Sequence, residues 1–164
     1  MNLTGYIILS VIVGLIFLAF MVSWFIHYKK KKERSQLIKD FDDFTFNNKI
    51  KIDKSQTLNK NMVGLDRVNM KLVFLDRSNH PQQIQLIDLP KLSSCHLLQE
   101  KNASTGYISN ISLQCIFKEK NEEDIFLPFY NEANDTLHNK MRLSKKASYW
   151  EKSINLFKEN SFSN

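Results

Sequence analysis

The first twenty-eight residues hold no Asp, Glu, Lys or Arg, and residues 6–26 read YIILSVIVGLIFLAFMVSWFI. No other feature of the chain restricts its fold so strongly. Only Ser10, Gly14, Ala19 and Ser23 interrupt the apolar run with small or polar groups. At about 1.5 Å per residue its length as a helix is roughly 30 Å, the thickness of a bilayer's hydrocarbon layer. A continuous helix pairs every backbone N–H and C=O internally, as hydrocarbon demands. The run is therefore expected to span a membrane. Tyr6 at one end and Trp24, His27 and Tyr28 at the other suit the two interfaces. A cleaved signal peptide fits poorly, because MNLTG carries no basic side chain and the run ends in WFIHY. A buried core helix would show a polar stripe, and none exists.

Lys29, Lys30, Lys31, Lys32 and Arg34 follow the span at once. Under the positive-inside rule this collar keeps the C-terminal side in the cytoplasm, with headgroup contact as its second role. The expected location is the cell (inner) membrane, single-pass, with a short non-cytoplasmic tail at 1–5, the span at 6–28 and the collar with a juxtamembrane helix at 29–47. Four Asn-X-Ser/Thr sequons, at Asn2, Asn102, Asn110 and Asn134, do not overturn this, since sixteen asparagines produce such triplets by chance. The small pair Ser10 and Gly14 allows weak self-association of the span.

The net charge of +6 would by itself point to nucleic acid. The collar, five basic residues and Glu33, accounts for +4 of it, which leaves 18 basic and 16 acidic residues, or +2, for everything after. Nucleic-acid binding is not expected. Cys95 and Cys115 stand twenty residues apart without metal-ligand spacing, and buried free thiols are the expectation.

Beyond the collar, Leu37, Phe41 and Phe44 recur at helical spacing with Ile38 beside them. Three placements are open for this helix: continuing the membrane helix, lying in the interface with Lys39 toward the headgroups, or packing on the following domain. The last is preferred, because Asp40, Asp42 and Asp43 would be repelled by an anionic leaflet, and without His or Glu partners these aspartates form no metal site. From Asn48 the period changes to two. Candidate strands are 49–54, 61–66, 70–76, 82–89, 94–101, 107–119 and 124–131, with turns at 66–69, 77–81 and 120–123. In the long hairpin Ile111, Leu113, Cys115 and Phe117 point one way, and in its mate Ile125, Leu127 and Phe129 oppose Phe126, Pro128 and Tyr130. Pro128 cannot donate to a ladder, which predicts an edge or a bulge there. A helix is expected from an N-cap at Asn134 or Asp135 to about Asn160, with Leu143, Ala147, Trp150, Ile154 and Phe157 as one apolar stripe. Residues 161–164 form a tail.

The hairpin VGLDRVNMKLVFLD (63–76), the strand, kink and strand IQLIDLPKLSSCHLL (84–98), the hairpin into IFLPFY and the closing helix with Trp150 resemble a bacterial pleckstrin-homology-like domain over residues 48–160. The fold class expected is α+β: one transmembrane helix, then a half-open barrel of about seven antiparallel strands capped by the C-terminal amphipathic helix. The resemblance implies a binding or scaffold module. Phosphoinositide-binding members place basic residues on the first hairpin, and the nearest positions are Lys49, Lys51, Lys54 and Lys60. Lys60 is followed by Asn61 and Met62, so the arginine of the family's Lys-X-Arg pair is missing and inositol-phosphate recognition does not carry over.

No phosphate loop, nucleophile elbow or His-Glu-X-X-His occurs, and His27, His80, His96 and His138 are scattered. The chain is expected to be no enzyme and to use no cofactor or metal. It reads as a tethered scaffold with the bilayer and a protein as partners. The alternative is a small-molecule or lipid sensor or carrier, using the mouth of the half-barrel with Phe126 and Tyr130.

Overall fold

The structure, a computed structural model, describes residues 3–78 and 81–160, with side chains from 12 to 158. Asn2, His80, the tail 161–164 and the side chains of Tyr6 and Ser10 lie outside the described residues. Ten elements follow in order: helix α1 (Leu3–Asn47), strands β1 (Lys54–Leu58), β2 (Asn61–Asp66), β3 (Lys71–Asp76) and β4 (Gln83–Asp88), a 3-10 turn (Leu89–Lys91), strands β5 (Leu92–Lys101), β6 (Ile108–Phe117) and β7 (Ile125–Asn131), and helix α2 (Leu137–Asn160). The chain is α+β and divides into two compact units, residues 1–36 and 37–164.

In the first unit α1 presents Ile12, Leu15, Phe17, Phe20 and Phe25 at 47–74 % exposure, with no protein surface over them. It is the one described helix long and apolar enough to cross a membrane.

The second unit begins within α1. Leu37 and Phe41 are buried against Ile50, Met62, Val73 and Leu75, with Ile38, Phe44, Ile52 and Ile84 around them. The expected packing of this helical segment on the domain is therefore observed. Phe41 reaches the sheet because Gly64 leaves room: a Cβ there would stand 2.5 Å from the ring's Cζ. The helix stops through a left-handed residue. Lys49 has φ 55°, its N–H donates to the Phe46 carbonyl, and the Ile50 N–H donates to the Thr45 carbonyl. These are the paired bonds that close a helix C-terminus, with Ile50 turned back onto the helix's apolar face. Residues 49–54, expected as the first strand, are thus a helix cap and an extended connection, and the first ladder starts at Lys54.

Strands β1 to β4 form an antiparallel meander, and β5 to β7 a second one. The expected half-open barrel is corrected to two separate sheets. Among the described residues no ladder joins β1 to β7 or β4 to β5, so nothing closes. The kink expected between β4 and β5 is the 3-10 turn around Pro90.

The main core lies between the sheets and α2: Val63, Leu65, Leu72, Phe74 and Ile87 from the first sheet, Cys95, Ile111, Leu113, Leu127 and Phe129 from the second, and Leu143, Ala147, Trp150 and Ile154 from α2. The expected stripe on α2 is the buried one. At Pro128 the β6–β7 register shifts between Ile111 and Ser112, and β7 ends its sheet, so the proline sits at both an edge and a bulge. The extra residue turns Tyr130 into the core opposite Ile111, which corrects the outward orientation expected from strict alternation. Neither expected N-cap caps α2. Asp135 instead accepts from the Asn131 N–H at 3.0 Å and from the Asn59 side chain, and Thr136 directly precedes the helix.

Candidate binding surfaces

Four consecutive lysines on a helix step by about 100° each, so Lys29 to Lys32 ring the α1 axis instead of forming one face. All four are exposed, as is Arg34. Long stems let such side chains lie along apolar surface while the charge stays in water. One turn before the ring, the Trp24 and Tyr28 rings stack at a centroid separation of 6.0 Å.

The lysines of the first hairpin divide. Lys49 ends α1, Lys51 lies in the connection, and Lys54 opens β1, where its Nζ sits 4.1 Å from the centre of the Tyr149 ring on α2. Lys60 lies in the β1–β2 turn, about 20 Å of strand from Lys54 at roughly 3.3 Å per residue. These four do not converge on one anion. The two residues after Lys60 are structural: Met62 is in the core beneath α1, and Asn61 ties the sheets together. Its Nδ2 donates to the Pro128 carbonyl at 2.9 Å, while its Oδ1 accepts from the Arg77 N–H and the Ser78 hydroxyl.

The space between the β1–β2 turn and β7, lined by Asn59, Lys60, Asn61, Pro128, Tyr130 and Asp135, encloses about 10 Å³. That volume suits one water molecule. The Tyr130 hydroxyl is buried without a partner among the described residues, and burial together with Glu132 and Asp135 pushes its pKa up. Phe126, the other aromatic of the carrier expectation, is 51 % exposed on the outer face of β7.

His27, His96 and His138 lie on α1, β5 and α2, all exposed, and no group of three metal-ligating side chains occurs among the described residues. Asp40 stands 3.5 Å from Arg77, and Asp42 and Asp43 are exposed. Cys95 and Cys115 are free, buried and directly opposite across β5 and β6, with sulfurs 3.9 Å apart. The contact with Cys115 and burial push the Cys95 thiol far up, away from the reactive thiolate.

Sequence reasoning missed how α2 covers the outer edge of β5. Asn155 accepts from the Cys95 N–H at 3.0 Å and donates to the Cys95 carbonyl at 2.8 Å. Glu151 accepts from the Leu97 N–H at 2.8 Å, and Lys158 donates to the Ser93 carbonyl. Residues 151, 155 and 158 share one helix face, so a polar row on α2 takes the place of a missing strand. Its sequence signal was the polar spacing beside the apolar stripe. No family model matches the chain, and no curated protein or solved structure is significantly similar to it.

Proposed function

We propose that this protein is a single-pass, membrane-anchored, non-enzymatic binding or scaffold module that presents a pleckstrin-homology-like domain at the cytoplasmic face of the cell (inner) membrane. One observation carries the reading: a helix bare of protein cover over its apolar length is followed immediately by a ring of exposed cations. The ring supports a cytoplasmic placement of the domain, on the side where basic residues are retained and anionic headgroups are met, with the amino-terminal side outside. The order of four strands, a kink, three strands and a closing helix around a buried Trp150 supports the pleckstrin-homology-like assignment. Tethering concentrates the domain on any membrane partner, and such a partner is a protein. A water-sized enclosure beside Tyr130 favours this reading over the alternative of a lipid or small-molecule carrier.

Two measurements test it. A reporter fused after Asn164 is expected to be active only as a cytoplasmic fusion; activity only as an exported fusion overturns the orientation. Crosslinking in native membranes followed by purification is expected to recover a protein partner. Recovery of uncrosslinked chain alone overturns the scaffold role.

A further inference from the structure

Four strands end a sheet here: β1 and β4 in one, β5 and β7 in the other. An edge strand offers a row of unpaired N–H and C=O groups to any extended segment, and proteins blunt it with cover, lysine, proline or a bulge. Three of the four edges are blunted. The polar row of α2 occupies β5, Lys146 donates to the Thr57 carbonyl of β1 at 2.8 Å, and β7 has Pro128, its bulge and Asn61. The fourth differs. β4 reads Gln-Ile-Gln-Leu-Ile-Asp, without lysine or proline, and pairs with β3 from Lys71↔Asp88 to Asp76↔Gln83 without a register shift. Among the described residues no hydrogen bond from another element reaches its outer side. Leu86 is 40 % exposed, and the Oε1 of Gln85 is buried without a donor.

We propose that β4 pairs antiparallel with β4 of a second copy of this chain, joining two four-stranded sheets into one of eight. Residues opposite each other in a ladder share a face, so a two-fold pair of identical strands must centre on a residue. Centred on Gln85, Ile84 meets Leu86 of the second copy and Leu86 meets its Ile84, on the same face of the sheet. Gln83 then meets Ile87, and Asp88, the only charge of the strand, meets Gln82. Centred on Leu86, Ile84 would face Asp88. The Gln85 register also sets the two Gln85 Cβ atoms about 4.5–5.5 Å apart, within reach of a cysteine crosslink at that position. This self-complementarity, with no like charges opposed, selects a second copy over an unrelated strand. The inference rests on the proposed anchoring, which confines copies to one plane and raises their local concentration.

The test uses the full chain in lipid nanodiscs or mild detergent, with mass measured by light scattering. Wild type is expected to be dimeric. Leu86→Lys, at a position already exposed, places a lysine against Ile84 of the second copy and is expected to weaken the dimer at least about tenfold, with an unchanged circular dichroism spectrum. Gln85→Cys is expected to crosslink to its own copy on mild oxidation. Gly14→Leu is expected to leave the dimer intact. A monomeric wild type, a Leu86→Lys chain as dimeric as wild type, or a dimer lost only in Gly14→Leu would each overturn the proposal. A monomer that crosslinks to a different protein overturns the dimer and leaves the scaffold reading standing. A reporter placing the domain outside overturns the orientation and leaves the Leu86→Lys result to be judged separately.

Discussion

Two residues of the first sheet show how single atoms decide the packing around them. Gly64 lies opposite Val73, and the ring of Phe41 fills the space its side chain would take. Gly64→Val should displace that ring and cost about 1–3 kcal/mol, read by denaturant unfolding. Combining it with Phe41→Ala should give less than the sum of the two single losses, because the clash is gone. Asp66 is wholly buried at the end of β2. Burial alone would raise its pKa, but hydrogen bonds from the Asn69 side chain, the Asn69 N–H and the Lys51 N–H together hold it below the ordinary value of 3.8. A carboxylate favoured in the folded state contributes stability that is fully present above its unfolded pKa. That contribution is lost as the pH falls through the lower folded value. Denaturant midpoints followed from pH 6 to about pH 2 should therefore fall more steeply for wild type than for Asp66→Asn, whose amide does not titrate.

At the scale of elements, α2 acts as a helix toward the core and as a strand toward β5. Asn155→Leu keeps the helix but leaves the Cys95 N–H and C=O unpaired, at a cost of about 1–3 kcal/mol. Hydrogen exchange should speed up at the Cys95 and Leu97 amides, with the amides between β6 and β7 less affected. The apolar stripe of α2 was legible because burial on one side imposes the helical period on the sequence. β6 was legible for the same reason: its core-facing Ile111, Leu113 and Cys115 alternate with half-exposed Ser112, Gln114 and Ile116. β2 and β3 lack such alternation because the first sheet is covered on both faces, by the second sheet and α2 on one side and by α1 on the other. Strands buried on both faces read as apolar runs. Residues 49–54 were misread because the left-handed residue that ends α1 is Lys49, where a glycine would have marked the stop. Tyr130 was misplaced because a bulge shifts the period by one, and Pro128 marked the place of the bulge without stating its direction. The open edge of β4 had no signal of its own, since an edge is defined by what fails to pair with it.

For the whole molecule, the start of the domain at Leu37 sets where it can be cut. A fragment beginning at Asn48 loses Leu37 and Phe41, each contributing about 1.5–3 kcal/mol by burial, and bares Met62, Val73 and Leu75. It is expected to aggregate or bind an apolar dye, whereas a fragment beginning at residue 35 should stay soluble and unfold cooperatively. The charge balance follows the same division. Most of the +6 belongs to the ring of lysines and Arg34 and little of it to the domain, so removing the first 34 residues should bring the protein close to neutrality, measurable by isoelectric focusing.

The paired thiols of β5 and β6 have a practical consequence. Both sulfurs are sealed in the core, and the Cys95 thiol is held protonated, so the native protein should ignore maleimides while it stays folded. An engineered surface cysteine could therefore be labelled in the natural background, without first replacing either native one. Slow modification that does occur would time the parting of β5 from β6, giving the protein an internal stopwatch for opening. In an Asn155→Leu chain that stopwatch should run faster.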